Sequence, residues 1–148
     1  MKIIHKFLLT LFLSLTFSVP AWADEDNECG ILKVQIANGT HHICYLVSSD
    51  VVHGNLMDQP PAALIPGQAK RFAMSQTLYG PHIVITYRCE GNFITITSQQ
   101  NYCFLEAGNI TGNISPPYPK NISVNSVIES GSYYWSKPGM ISWIFSST

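Results

Sequence analysis

From Ile31 onward the chain alternates apolar and polar positions, with Leu32, Val34 and Ile36 on one side and Lys33 and Gln35 on the other. A period of two marks a strand with one buried face. Asn38-Gly39 follows as the strongest two-residue hairpin signal, which predicts that Ile43 to Ser48 returns as the partner strand. The segment Asp50 to Gln68 carries Pro60, Pro61 and Pro66 and reads as an ordered loop or an edge segment. Arg71 to Met74 is a short strand. After the turn Gly80-Pro81, the residues Ile83, Ile85 and Tyr87 alternate with Val84, Thr86 and Arg88. Glu90-Gly91-Asn92 turns the chain into the β-branched run Phe93 to Thr97. Ser98 to Asn101 reads as a further turn leading into Tyr102 to Glu106, and Gly108 to Lys120, broken by Gly112 and Pro116-Pro117-Tyr118-Pro119, as a long loop. Asn121 to Ile128, Ser132 to Ser136 and Gly139 to Phe145 are the last strands, the final one with Ile141, Trp143 and Phe145 on a single face, as core residues would be.

No stretch keeps helical periodicity over a useful length. Seven or eight short strands separated by turns predict an all-β protein, and of the two closed solutions, sandwich or barrel, we expect a single-domain antiparallel β-sandwich. Met1 to Ala23 has the three parts of an export signal: Lys2 and Lys6, an apolar run from Phe7 to Val19, and Ala21-Trp22-Ala23 as a small-x-small cleavage site. The run is shorter than the roughly 20 residues a membrane-spanning helix needs. Residues 24–28 then form an acidic flexible leader, and residues 29–148 the domain.

Export changes the reading of the cysteines. Cys29, Cys44, Cys89 and Cys103 are an even set in an exported chain, which predicts a sandwich stapled by two disulfides. Three pairings exist. Sequence neighbours, Cys29 with Cys44 and Cys89 with Cys103, would each close a short loop over one turn. No Cys-x-x-Cys and no paired His at ligand spacing argues for a metal instead.

Charge narrows the partners. Only 11% of the 148 residues are charged, against about a quarter in an average soluble protein. Beyond residue 23 there are six Lys or Arg against nine acids, a formal charge of −3. No basic face is available for phosphates, so nucleic acid is excluded as a partner. Catalytic chemistry has no obvious carrier: there is no Gly-x-Ser-x-Gly elbow, and Glu90, Glu106 and Glu129 sit at turns or strand ends. His41, His42, His53 and His82 all adjoin turn signals, where an exposed imidazole is ordinary. No catalytic residue, metal or cofactor is expected. Asn38, Asn109, Asn113 and Asn121 begin Asn-x-Ser/Thr sequons, acceptors only in a eukaryotic secretory route.

One set of residues carries a family resemblance. Val51-Val52-His53-Gly54-Asn55, Pro60-Pro61, Ile65-Pro66-Gly67, Phe72, Ser75, Gly80 and Val84-x-x-Tyr87, within Ile31 to Tyr87, resemble the aegerolysin-like group and its bacterial relatives among insecticidal crystal proteins. The resemblance implies a small β-sandwich that binds membrane lipid at one end, sometimes beside a larger pore-forming partner. Tyr118, Tyr133, Tyr134 and Trp135 are the amphipathic aromatics suited to that role. The expected protein is therefore a secreted or periplasmic, non-enzymatic monomer that recognises a membrane lipid or host surface component. A different class, a protein-binding module such as a lysozyme-type hydrolase inhibitor, is suggested by Tyr87-Arg88-Cys89-Glu90-Gly91.

Overall fold

The computed structural model describes residues 27–117 and 119–148. The export segment Met1 to Ala23 and Tyr118 lie outside the described residues. A 3-10 turn, Glu28–Gly30, opens the fold, with Asn27 accepting the Cys29 amide as its cap. Ten strands follow: β1 (Ile31–Gly39), β2 (Cys44–His53), β3 (Asn55–Leu56), β4 (Ala63–Leu64), β5 (Ala69–Ser75), β6 (His82–Cys89), β7 (Asn92–Gln100), β8 (Ile110–Ser115), β9 (Ile122–Glu129) and β10 (Gly139–Ser147). They form two five-stranded sheets, ordered β3-β5-β1-β10-β9 and β4-β2-β6-β7-β8. All pairings are antiparallel except β1 with β10, which run parallel. The all-β sandwich expected from the alternation is the fold observed.

Its core is the set of alternating positions. Val34 and Ile36 of β1 lie in register with Ile141 and Trp143 of β10, with Leu32 opposite Gly139 and Phe145 opposite Asn38, and Ile83, Ile85 and Tyr87 of β6 close over this layer from the second sheet. Each such side chain, fully buried, contributes about 1.5–3 kcal/mol relative to leaving it in water. The polar ends of the two largest core aromatics are paired, whereas Gln100 Oε1 is buried without a hydrogen-bond partner. The Trp143 indole Nε1 donates to Ser98 Oγ at 2.9 Å, and the Tyr87 hydroxyl donates to the Pro61 carbonyl at 2.8 Å. Burial pushes the Tyr87 phenol above its usual range, so it stays a neutral donor.

Several expectations fail for identifiable reasons. Asn38-Gly39 is a crossover rather than a hairpin: β1 and β2 belong to different sheets, and the buried Asn38 side chain is spent on holding the loop. That separation also overturns the disulfide pairing. The bonds are Cys29–Cys103 and Cys44–Cys89, with Cα–Cα distances of 6.0 and 4.4 Å. Cys29 precedes a nine-residue strand and Cys44 follows it, which separates them by about 30 Å of extended chain. Cys89 and Cys103 are held apart in the same way by β7. Ser98 to Asn101 is not a turn, since β7 runs to Gln100 with Ser98 and Gln100 buried and bonded. Within the supposed loop Gly108 to Lys120 lies β8, whose Gly112 lets the backbone pass over the Trp143 ring. Tyr102 to Glu106 lies outside the strands, and Ser132 to Ser136 is a closed loop. The resemblance-bearing glycines serve turns. Gly54 (φ +89) abuts the Ser75 carbonyl, and Gly67 (φ +74) donates its amide to the Asn38 carbonyl.

Candidate functional site

The strand directions bring the turn 28–30, the β2–β3 corner at Gly54 and the connections 76–81, 101–109 and 130–138 to one end of the sandwich. Cys29–Cys103 ties the two sheets together there. Gln76 reinforces it by bonding both backbone groups of one residue: its Oε1 accepts from Cys103 N at 2.8 Å and its Nε2 donates to the Cys103 carbonyl at 3.2 Å. Gln100 Nε2 donates to the Cys29 carbonyl at 2.6 Å, and the Gln76 amide donates to the Gly30 carbonyl. Gly80 is required by close approach, because a Cβ there would collide with the Gln100 carbonyl.

The 133–136 loop is closed by paired backbone bonds between Ser132 and Lys137, both at 2.8 Å, and by the Ser136 amide on the Tyr133 carbonyl. Asn27 Nδ2 also donates to that carbonyl, and the Glu28 amide donates to Ser136 Oγ. This scaffold presents Tyr134 and Trp135, each 85% exposed, while Tyr133 is half-buried against Tyr134 with the rings edge-on at 5.9 Å. Of the sequence-derived candidates, Tyr133, Tyr134 and Trp135 therefore sit together on one loop, whereas Trp143 is core.

The same end carries apolar residues that the sequence reading passed over. Leu78 is 88% exposed and Phe104 70%, with Tyr79, Leu105 and Tyr102 beside them in the same two loops. For Leu78 and Tyr79 a signal was available, apolar side chains beside the turn Gly80-Pro81, whereas Tyr102, Phe104 and Leu105 were concealed by the expectation that Tyr102 to Glu106 is a strand. Several large apolar groups are thus left in water on loops at one end of the sandwich, with no folding benefit from their exposure.

Near this end, on the outer face of the second sheet, His53 stacks on Tyr79 at 4.8 Å and lies 6.1 Å from the His82 ring. Burial, and then the neighbouring His53, hold the His82 pKa below 6.5, with Asp50 opposing them. Among the described residues, no grouping of three or more His, Cys, Asp or Glu could hold a metal ion. The pentapeptide Tyr87 to Gly91 lies at the opposite end, and Tyr87 and Cys89 within it are buried, leaving Arg88, Glu90 and Gly91 at the surface.

No protein-family model matches the chain, and no curated protein matches it either. Similarity appears among solved structures. The lipid binding protein Nakanori superposes with a TM-score of 0.56 at 11% identity, over 78% of this chain and 70% of that one. IP-1A from Alcaligenes faecalis superposes with a TM-score of 0.56 at 6% identity, over 82% of this chain and 94% of that one. At such identities the shared property is the fold, a β-sandwich of which a lipid-binding protein is one example.

Proposed function

We propose that this protein is a non-enzymatic binding protein of the aegerolysin-like kind that docks on a lipid bilayer through the Cys29–Cys103 end of its sandwich. The observation that carries the reading is the gathering of Leu78, Phe104, Tyr134 and Trp135, from three loops of both sheets, at one disulfide-pinned end. Tyrosine and tryptophan suit the headgroup level because each has an apolar ring and a polar handle. Half-burying one such ring removes about 100 Å² from water and contributes about 2 kcal/mol. The likeness to a lipid binding protein adds support at the level of fold. Loops tied by a disulfide and by backbone hydrogen bonds incur less ordering cost on docking than untethered ones would. Two disulfides fit a protein made for an oxidising compartment, and among the described residues no helix is long and apolar enough to cross a membrane. The working location is therefore a surface reached from outside the cytoplasm, secreted or periplasmic.

The test is co-sedimentation with vesicles of phosphatidylcholine, sphingomyelin and cholesterol in varied proportions. Binding to at least one composition is expected, reduced by about tenfold or more in Trp135→Ala and further in Tyr134→Ala/Trp135→Ala. No binding to any composition, or binding that both variants keep in full, would overturn the reading.

A further inference from the structure

The other end of the sandwich holds a cleft of about 470 Å³ between the 39–43 loop and the β6–β7 hairpin. That volume lies within the range of small-molecule sites. The walls are built, not incidental. Asn38 Nδ2 donates to the His42 carbonyl at 2.8 Å and to the Leu64 carbonyl at 2.7 Å, while Asn38 Oδ1 accepts from the Thr40 amide and hydroxyl. This buried amide fixes the loop that carries His41 and His42 outward. Cys44–Cys89 joins the two strands at the positions next to Tyr45 and Arg88 on one side and Ile43 and Glu90 on the other. Glu90 (φ 50) and Gly91 (φ +79) both adopt left-handed conformations, the turn that a two-residue hairpin requires. Glu90 Oε1 accepts from Ser147 Oγ at 3.3 Å and lies 3.8 Å from His42 Nε2.

The chemistry of the lining selects a ligand class. Arg88 supplies one cation and Glu90 one anion, so neither an anion nor a cation meets a surface of a single opposite sign. Tyr45 and Phe93 flank Arg88 in register on the outer face of β2, β6 and β7, and both rings are about half exposed. A pyranose ring needs this combination: an apolar C–H face to lie on an aromatic ring, and hydroxyls that bond to donors and acceptors around it. From that row the outer face of the second sheet continues as Ser48, Thr86, Thr95 and Ser115 side by side, then Val84 beside Thr97 beside Asn113, with Asp50 of β2 at the edge of this second row. Successive rows on one face of a strand are about 7 Å apart, and no charged side chain interrupts these two on β6, β7 or β8.

We propose that the cleft lined by His42, Tyr45, Arg88 and Glu90 is a binding site for a neutral saccharide, with the Thr/Ser/Asn face of the second sheet receiving the chain that extends from it. This site is separate from the aromatic end and stands without the bilayer reading.

An immobilised array of neutral, N-acetylated, and sialylated or sulfated oligosaccharides, probed with the purified protein, tests it. The expected result is binding to at least one neutral or N-acetylated glycan that falls about tenfold or more in Tyr45→Ala and in Arg88→Ala, and is unchanged in Trp135→Ala. Tyr45→Phe keeps the ring and is expected to retain the binding, which separates stacking from misfolding. Absence of binding, binding confined to the sialylated and sulfated glycans, or binding that survives both alanine variants overturns the proposal.

Discussion

At Gly112 the backbone of β8 lies so close to Trp143 that a Cβ would come within 2.7 Å of the indole carbon Cζ2 and 2.8 Å of Cη2. The indole is itself held by its bond to Ser98, so it cannot turn aside without losing that partner. Gly112→Ala is therefore expected to destabilise the fold by about 1–3 kcal/mol as an overpacked site, read as a lower urea midpoint with unchanged slope. An unchanged midpoint would show that the ring has room to move. His82 gives a second test. Its native pKa is held below the unfolded value of 6.5, so the folded state binds this proton less readily than the unfolded one. Its contribution is fully present above about pH 6.5 and is lost as pH falls through the lowered native value. Urea midpoints of the wild type should fall more between about pH 7.5 and pH 5 than those of His82→Gln; equal falls would contradict the assignment. At this scale the sequence was legible wherever alternation decided the outcome, as for Ile141, Trp143 and Phe145. It misled where polar residues go inward, because Ser98 and Gln100 are buried by partners distant in the chain, Trp143 and Cys29.

The strands themselves were readable, and what joins them was not. Asn38-Gly39 has the composition of a hairpin, yet β1 takes β5 and β10 as its neighbours and the chain crosses to the other sheet. Pairing of the cysteines depends on that crossing, so no local spacing could supply it. Likewise, Ser132 to Ser136 reads as a strand, in which neighbouring side chains would point to opposite faces. In the structure the segment is a closed loop, and Tyr134 and Trp135 both project. The two disulfides act on different ends. Cys29–Cys103, spanning 74 residues, contributes about 4 kcal/mol in the chain-entropy model, and Cys44–Cys89, spanning 45, about as much. Removing either should lower stability similarly. Removing Cys29–Cys103 should in addition weaken vesicle binding, since it holds the loop carrying Phe104 and Leu105, whereas the Cys44→Ser/Cys89→Ser variant should bind vesicles as the wild type does. Equal loss of vesicle binding in both variants, at a temperature where both are folded, would contradict this division.

For the whole molecule, low charge and a polar but uncharged surface set how it can attach to anything. With six basic residues against nine acids beyond residue 23, electrostatic attraction to anionic lipid has little to work with, each basic residue near such a surface being worth only about 1 kcal/mol. Attachment must come from rings and hydrogen bonds, and these are screened little by salt. Trp135 reports on it directly. The chain has three tryptophans; with Trp22 replaced by Phe, the two that remain are Trp143, buried in the core, and Trp135, 85% exposed at the aromatic end. Fluorescence with vesicles carrying a quencher on the lipid chains isolates the second indole, because the first stays inside the sandwich. The account predicts a blue shift and quenching on vesicle addition that vanish in Trp135→Phe and persist from about 0.01 M to about 1 M salt, over which the Debye length falls from about 30 to about 3 Å. Emission from Trp135 that stays unquenched while the protein is bound, or quenching abolished by salt, would contradict it.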